Sequence, residues 1–241
     1  MNQMVDIHMH ILPCVDDGAR DMDMALAMLR EAEREGIGTI VATGHSYAYA
    51  LDPQKPRRQY QALCRAAEEA GISVRLLPGM EMYCHPDIVE TCLAHLQSGV
   101  FCTLNGSSLV LTEFDTHGVT ESDAVVCMEQ LLSAGYVPVI AHVERYAFAN
   151  PASVEHWRRM GALIQINAYS IAEDSSEQRK NLTRALLEAQ LVDFLGSDAH
   201  RMRYRSPRVQ TGVAFLYEHY EPSYADAIVW KNAERQIVHH G

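Results

Sequence analysis

Apolar and polar positions along the chain follow two rhythms. Short runs rich in β-branched residues, MVDIH (4–8), GTIVATGH (38–45), SVRLLPGMEM (73–82), SLVLTEF (108–114), VPVIAH (137–142), ALIQIN (162–167) and LVDFLGSD (191–198), predict seven strands. Between them lie amphipathic stretches with apolar residues at helical spacing, such as Met24, Leu26, Met28 and Leu29 within 21–35 and Val125, Met128, Leu131 and Leu132 within 121–134. Gly36, Gly71, Gly99 and Gly135 fall where such helices would end, as C-terminal caps. After the last strand, 206–239 reads as two further helices, with Pro207 and Pro222 near their starts.

Alternation of strands and helices predicts an α/β fold, a parallel sheet with helices outside, either open and doubly wound or closed into a barrel. A dinucleotide-binding open sheet would want a glycine-rich phosphate turn after an early strand, and no G-x-G-x-x-G occurs. The barrel is favoured, as one domain spanning 1–241 whose last ~35 residues are helical.

Composition narrows the partners. The 241 residues carry 20 Lys plus Arg against 31 Asp plus Glu, a formal charge of −11, which repels nucleic acid and anionic membrane surfaces. A small phosphate or a basic peptide suits such a chain better. The start, MNQMVDIHMH, has no cationic region followed by an apolar one, and the uncharged stretch 92–112 is too polar to span a membrane, so a cytoplasmic protein without membrane insertion is expected. The six cysteines form no C-x-x-C pair and read as buried or spare thiols.

Polar residues gather at the C-terminal ends of the predicted strands: His8 and His10 on the first, His45, Glu81, Glu113 and His142 on the next four, and Asp198 on the seventh with His200 just beyond. In α/β barrels that rim is where active sites are built. His8 and His10, two apart on a strand, point to the same side, as two imidazoles on one metal would. Carboxylates such as Glu81 and Glu113 converging there are costly unless paired or coordinated, so the set calls for cations. Its mixture of imidazole and carboxylate suits Mn²⁺, Fe²⁺ or Zn²⁺ better than Mg²⁺.

One stretch carries a competing signature. Cys14 and Arg20, with five residues between them, are spaced as in cysteine-dependent tyrosine phosphatases. Such a loop cradles a phosphate dianion over a thiolate. In CVDDGAR, however, Asp16 and Asp17 occupy the cradle and would repel both anions, so Cys14 reads as a bystander.

His8-x-His10, Asp16-Asp17-Gly18, Thr43-Gly44-His45, Gly79-x-Glu81, Glu113-Phe114, Ala141-His142-x-Glu144-Arg145 and Ser197-Asp198-x-His200 together resemble the polymerase-and-histidinol-phosphatase (PHP) family. "DIHxH…VDDG" and "AHxERY" look most like its manganese-dependent tyrosine phosphatases of bacterial capsule and exopolysaccharide operons. The resemblance implies a distorted (β/α)7 TIM-like barrel holding up to three divalent ions, usually Mn²⁺. By resemblance, His8, His10, Glu81 and Asp198 bind one ion, Glu81, Glu113 and His142 a second, and Asp17, His45 and His200 a third. It also implies that Arg145 and Arg205 contact the phosphate, although for either the alternative is a surface ion pair. Metal-activated hydroxide then replaces a protein nucleophile, since coordination takes the pKa of water from about 15.7 to near 7.

By the same resemblance, relatives of this kind often carry a basic loop after the strand ending at His45, whereas this chain has SYAYALDP. Tyr47 and Tyr49 there either stack on a phosphotyrosine ring or have no ligand role. His117, close behind Glu113, is a weak rim candidate. The leading expectation is a metal-dependent phosphatase acting on the phosphotyrosine-bearing tail of a bacterial tyrosine kinase that controls polysaccharide synthesis, with an oligomer allowed. The rivals are a small-molecule phosphatase of histidinol-phosphate type, an amidohydrolase, and a non-catalytic metal-binding barrel. Many amidohydrolases bridge two metals with a carboxylated lysine, and none of Lys55, Lys180 and Lys231 ends a predicted strand.

Overall fold

Seven strands, all parallel, follow one another around the molecule in chain order. They are β1 Met4–Met9, β2 Ile37–His45, β3 Arg75–Tyr83, β4 Leu109–Glu113, β5 Val137–Ile140, β6 Leu163–Asn167 and β7 Phe194–Gly196. A computed structural model describes residues 3–171 and 176–239. β1 returns beside β7, where Asp198 N–H donates to the His8 carbonyl at 2.7 Å and His10 N–H to the Ala199 carbonyl at 2.9 Å. The sheet is thus a nearly closed, distorted seven-stranded barrel.

Helices fill the connections: α1 Met22–Arg34, α2 Ser46–Leu51, α3 Gln54–Glu69, α4 Val89–Ser98, α5 Glu121–Ser133, α6 Pro151–Met160, α7 Ala168–Ile171 and α8 Glu177–Glu188. Their starts are set by local chemistry, which satisfies donors that have no partner within a helix. The Asp21 side chain accepts Met24 N–H before α1, and Thr120 and Asn150 form reciprocal capping boxes before α5 and α6. At the end of α4, Gly99 takes φ +72°, the left-handed turn that its place in the sequence predicts.

The last region follows the sequence expectation of two further helices, the second starting at Pro222, and differs in where the first begins and in the winding of the second. α9 spans Gln210–His219, so Pro207 lies in the loop before it. α10, Pro222–Asp226, runs into the wider π-helical turns Ala227–Lys231 and Glu234–Val238. Residues 240 and 241 lie outside the described residues. This C-terminal segment plugs the barrel, because Ala233, Ile237 and Val238 join Val5, Ile7, Val41, Leu77, Leu111, Val139 and Phe194 in one buried apolar cluster inside it. They close its N-terminal end and leave the opposite end as the mouth. Among the described residues no helix is long and apolar enough to cross a membrane.

Side-chain parity then decides which residues reach that mouth. Starting from the inner residues Val41, Leu77, Leu111 and Phe194, every second position faces inward, which brings in His45, Glu81 and Glu113 and, one step past β7, Asp198. β1 needs a correction to do the same. Between Asp6 and Met9 it takes three steps while β2 takes two, from Ile40 to Ala42. That bulge shifts the parity, so β1 places Ile7 in the inner cluster and His8 and His10 in the mouth.

Candidate metal centre

Glu81 occupies the middle of the mouth with 1% of its surface exposed. Its oxygens lie 3.2 Å from His8 Nε2, 3.1 Å from His10 Nε2, 3.1 Å from His142 Nε2 and 3.2 Å from His45 Nδ1. Glu113 lies 3.5 Å from His142 Nε2 and 3.6 Å from His45 Nδ1. Asp17 lies 3.5 Å from His45 Nε2 and 3.4 Å from His200 Nε2, and Asp198 sits 3.4 Å from His8 Nε2. All nine residues expected as ligands therefore meet, in overlapping groups: His8, His10 and Asp198; His8, Glu81 and His142; His45, Glu81 and Glu113; and His10, Asp17, His45 and His200.

Two of these positions depend on unusual backbone. His142 has φ +34° and Asp198 φ +51°, in the left-handed region that residues with a Cβ rarely occupy. For His142 the twist matters because its position in sequence, one beyond inward-facing Ala141, would otherwise send it to the outer face. Strain of this kind is typically held by surrounding contacts at functional sites. Here the holder is Gln165, whose Oε1 accepts His142 N–H at 2.8 Å.

The same Gln165 oxygen lies 3.1 Å from His8 Nδ1. An amide oxygen only accepts, so Nδ1 of His8 carries the proton and Nε2 turns a lone pair inward. Asp16 acts alike on His10, with its Oδ2 3.0 Å from Nδ1. His200 Nδ1 faces the Asp198 carbonyl at 3.0 Å. Three imidazoles are thus held with Nε2 toward the shared centre, the arrangement that outer hydrogen bonds impose on metal-ligating histidines.

Charge gives a second test of fit for cations. Burial lowers the pKa of His10, but the carboxylates of Asp16 and Glu81 outweigh it and raise the group to about 10. Burial likewise opposes protonation of His142, which Glu113 and Glu81 nevertheless lift to about 9. The carboxylates draw protons onto the imidazoles because they need positive charge at the centre. Divalent ions would supply it, and the donor set fits them.

Asp198 also receives two guanidinium groups. Arg145 Nη1 donates to its Oδ2 at 3.4 Å, and Arg205 Nη2 donates to its Oδ1. Both expected phosphate contacts therefore border the centre. Tyr47, 51% exposed, stacks its ring 5.6 Å from that of His45. It lines an apolar cavity of about 480 Å³ with Tyr83, Ile88, Phe101 and, at the centre's edge, His45 and Glu113. Tyr49 does not reach this rim: α2 turns it inward, and its hydroxyl donates to the Gly79 carbonyl at 2.7 Å. His117 is exposed, lies 2.9 Å from the Thr116 hydroxyl and belongs to none of the four groups.

Sequence reasoning missed the supporting residues. From sequence, Asp16 is only part of the turn and Gln165 carries no role, although a glutamine at an inward position of an apolar strand is a visible signal. Glu144, buried, accepts Ser170 Oγ at 2.6 Å and Asn167 N–H at 3.1 Å, which ties the turn after His142 to β6 and α7. Cys14 is exposed, donates its thiol hydrogen to the Arg20 carbonyl and belongs to none of the four groups.

Comparison with known proteins identifies relatives described as metal-dependent phosphatases. The family model described as capsular polysaccharide synthesis, CpsB/CapC, matches residues 4–238. The chain is 36% identical over 217 residues to the tyrosine-protein phosphatase YwqE of Bacillus subtilis (strain 168), covering 88% of this chain and 84% of that one. A crystal structure from work on YwqE of Bacillus subtilis and CpsB of Streptococcus pneumoniae, described as unique metal-dependent tyrosine phosphatases, matches with TM-score 0.82 and 33% identity, covering 92% of this chain and 90% of that one. The phosphotriesterase homology protein of Escherichia coli shares the fold, with TM-score 0.59 and 13% identity over 98% of this chain and 99% of the other.

Proposed function

The chain belongs to the CpsB/CapC family of capsular polysaccharide synthesis, and from that premise we propose that its nine clustered ligands hold up to three divalent ions, Mn²⁺ foremost, for hydrolysis of phosphotyrosine on a bacterial tyrosine kinase that governs capsule and exopolysaccharide synthesis. It is a metal-dependent tyrosine-protein phosphatase, and so a phosphoric monoester hydrolase. What carries this function is the convergence of four carboxylates and five imidazoles, three of the latter with Nε2 set inward, beside two arginines.

His8, His10, Glu81 and Asp198 would hold one ion, Glu81, Glu113 and His142 a second, and Asp17, His45 and His200 a third. His10 stands close to the first and third sets alike, which supports a compact centre with shared ligands. Bound ions supply Lewis acidity at the phosphoryl group and an acidified water, with a pKa lowered from about 15.7 to near 7.

The protein's own part is to bind and orient. Arg145 and Arg205 offer planar donor forks to the phosphoryl oxygens, a geometry suited to phosphate. The apolar cavity lined by half-exposed Tyr47 with Tyr83 and Phe101 takes the tyrosyl ring. Asp16 and Gln165 keep the imidazoles in place while substrate comes and goes. A cytoplasmic setting belongs to the same proposal, since the chain as a whole is acidic, with a formal charge of −11, and the substrate is a phosphoprotein.

The test is phosphate release from a phosphotyrosyl peptide by chelator-stripped protein, before and after Mn²⁺ is restored. Activity that returns only with the metal is expected. Activity indifferent to metal would return attention to the Cys14 loop, and turnover of histidinol phosphate far above that of the peptide would select the small-molecule reading.

A further inference from the structure

A second cavity, of about 710 Å³, is lined by Arg145, Arg179, Arg203, Arg205 and Arg208. Five of the chain's 20 lysines and arginines thus face one cavity in a molecule of net charge −11. Two of them, Arg145 and Arg205, are bound to Asp198 and mark where the cavity meets the metal centre. The other three lie farther along, Arg179 on α8 and Arg203 and Arg208 in the loop after β7. Among the described residues, neither Arg179 nor Arg203 has a carboxylate partner, and Arg208 has only Glu31 at 3.8 Å. Arg205 Nε is buried without a hydrogen-bond partner. Like charges gathered in one cleft repel one another and raise the local concentration of anions. The apolar cavity borders the centre through His45 and Glu113, whereas the arginines meet it at Asp198, so a peptide whose phosphotyrosine enters the first has the arginine cavity available for its flank.

We propose that the arginine cavity is an anion subsite that takes a negatively charged residue flanking the phosphotyrosine under attack, recognised by Arg179 and Arg203. The inference rests on the phosphatase reading and adds to it a preference about the substrate's neighbouring residues. Guanidinium forks match both phosphate and carboxylate, so the flanking charge comes from a second phosphotyrosine or from Asp and Glu.

The experiment uses the Mn²⁺-loaded full chain and three peptides of equal length, each with one hydrolysable phosphotyrosine. Their flanks carry alanine, glutamate, or a non-hydrolysable phosphonate analogue of phosphotyrosine. A KM about tenfold lower for an anionic flank than for alanine, with kcat unchanged, is expected, and added salt should abolish the difference. A gain confined to the phosphonate peptide identifies a phosphate subsite, and a gain shared with glutamate identifies a charge subsite. Arg179→Gln and Arg203→Gln, made singly and together, should shrink the ratio between peptides. Equal KM values for all three peptides on the unaltered protein would overturn the inference while leaving the phosphatase intact. Absence of phosphate release from every peptide would instead overturn the phosphatase reading.

Discussion

The Asp16 carboxylate lies 3.0 Å from His10 Nδ1, and the same oxygen accepts the His45 N–H at 2.9 Å. One side chain therefore orients two histidines of the centre without belonging to any ligand group. Asp16→Ala should leave the barrel folded and weaken Mn²⁺ binding by about 10- to 100-fold, as loss of outer-shell partners does. Metal titration followed by calorimetry, with circular dichroism as the folding control, measures this directly. An unchanged affinity would mean that packing alone orients His10.

Neighbouring positions in the same turn should behave in opposite ways. Cys14 is exposed and its thiol is turned to the Arg20 carbonyl, whereas Asp17 reaches His45 and His200. Cys14→Ser should retain most phosphatase activity, and Asp17→Asn should lose much of it because one anionic donor at the centre is gone. Initial rates on a phosphotyrosyl peptide at saturating Mn²⁺ compare the two. The reverse pattern would point to thiol chemistry.

Much of this was legible because barrel strands obey period-two parity and the informative residues sit at strand ends. Glu81 and Glu113 could be placed from their strands alone, and the His8 and His10 pair from its spacing. What could not be read depends on contacts between distant segments. The bulge in β1 arises from pairing with β2, and the left-handed backbone at His142 and Asp198 is held by neighbours far away in sequence, Gln165 for the former and the β1 to β7 closure for the latter. Tyr49 escapes prediction because α2 is a helix of six residues, too short to show a period, and it turns that ring into the core.

Gly18 is constrained by the space around it. A Cβ there would fall 2.1 Å from the His10 carbonyl oxygen and 2.6 Å from His10 Cβ. The turn carrying Asp16 and Asp17 packs this closely because Ala19 N–H donates to that same carbonyl at 3.1 Å. Gly18→Ala should push the turn away from β1, destabilise the protein by about 1–3 kcal/mol, and reduce Mn²⁺ affinity together with it. Thermal denaturation and metal titration of the same preparation would test both. Full stability and affinity would show that the turn yields without disturbing His10.

Protonation should oppose metal binding in a direction set by His10 and His142. Their pKa values, raised to about 10 and about 9 against 6.5 for an unconstrained imidazole, mean that both hold a proton at pH 7 in the metal-free fold. A group raised by folding stabilises in full below its unfolded pKa and loses that contribution as pH climbs through the folded one. Metal-free protein should accordingly lose thermal stability between pH 7 and pH 10. Metal binding has the opposite dependence, because an imidazole must shed its proton before its nitrogen can bind an ion. Mn²⁺ uptake at pH 7 should release about two protons per centre, and apparent affinity should rise steeply from pH 6 to pH 8. Calorimetry in buffers of different ionisation enthalpy counts those protons. If none are released at pH 7, the two imidazoles are already neutral in the metal-free protein, and the buried carboxylates must be satisfied by hydrogen bonds instead of by charge.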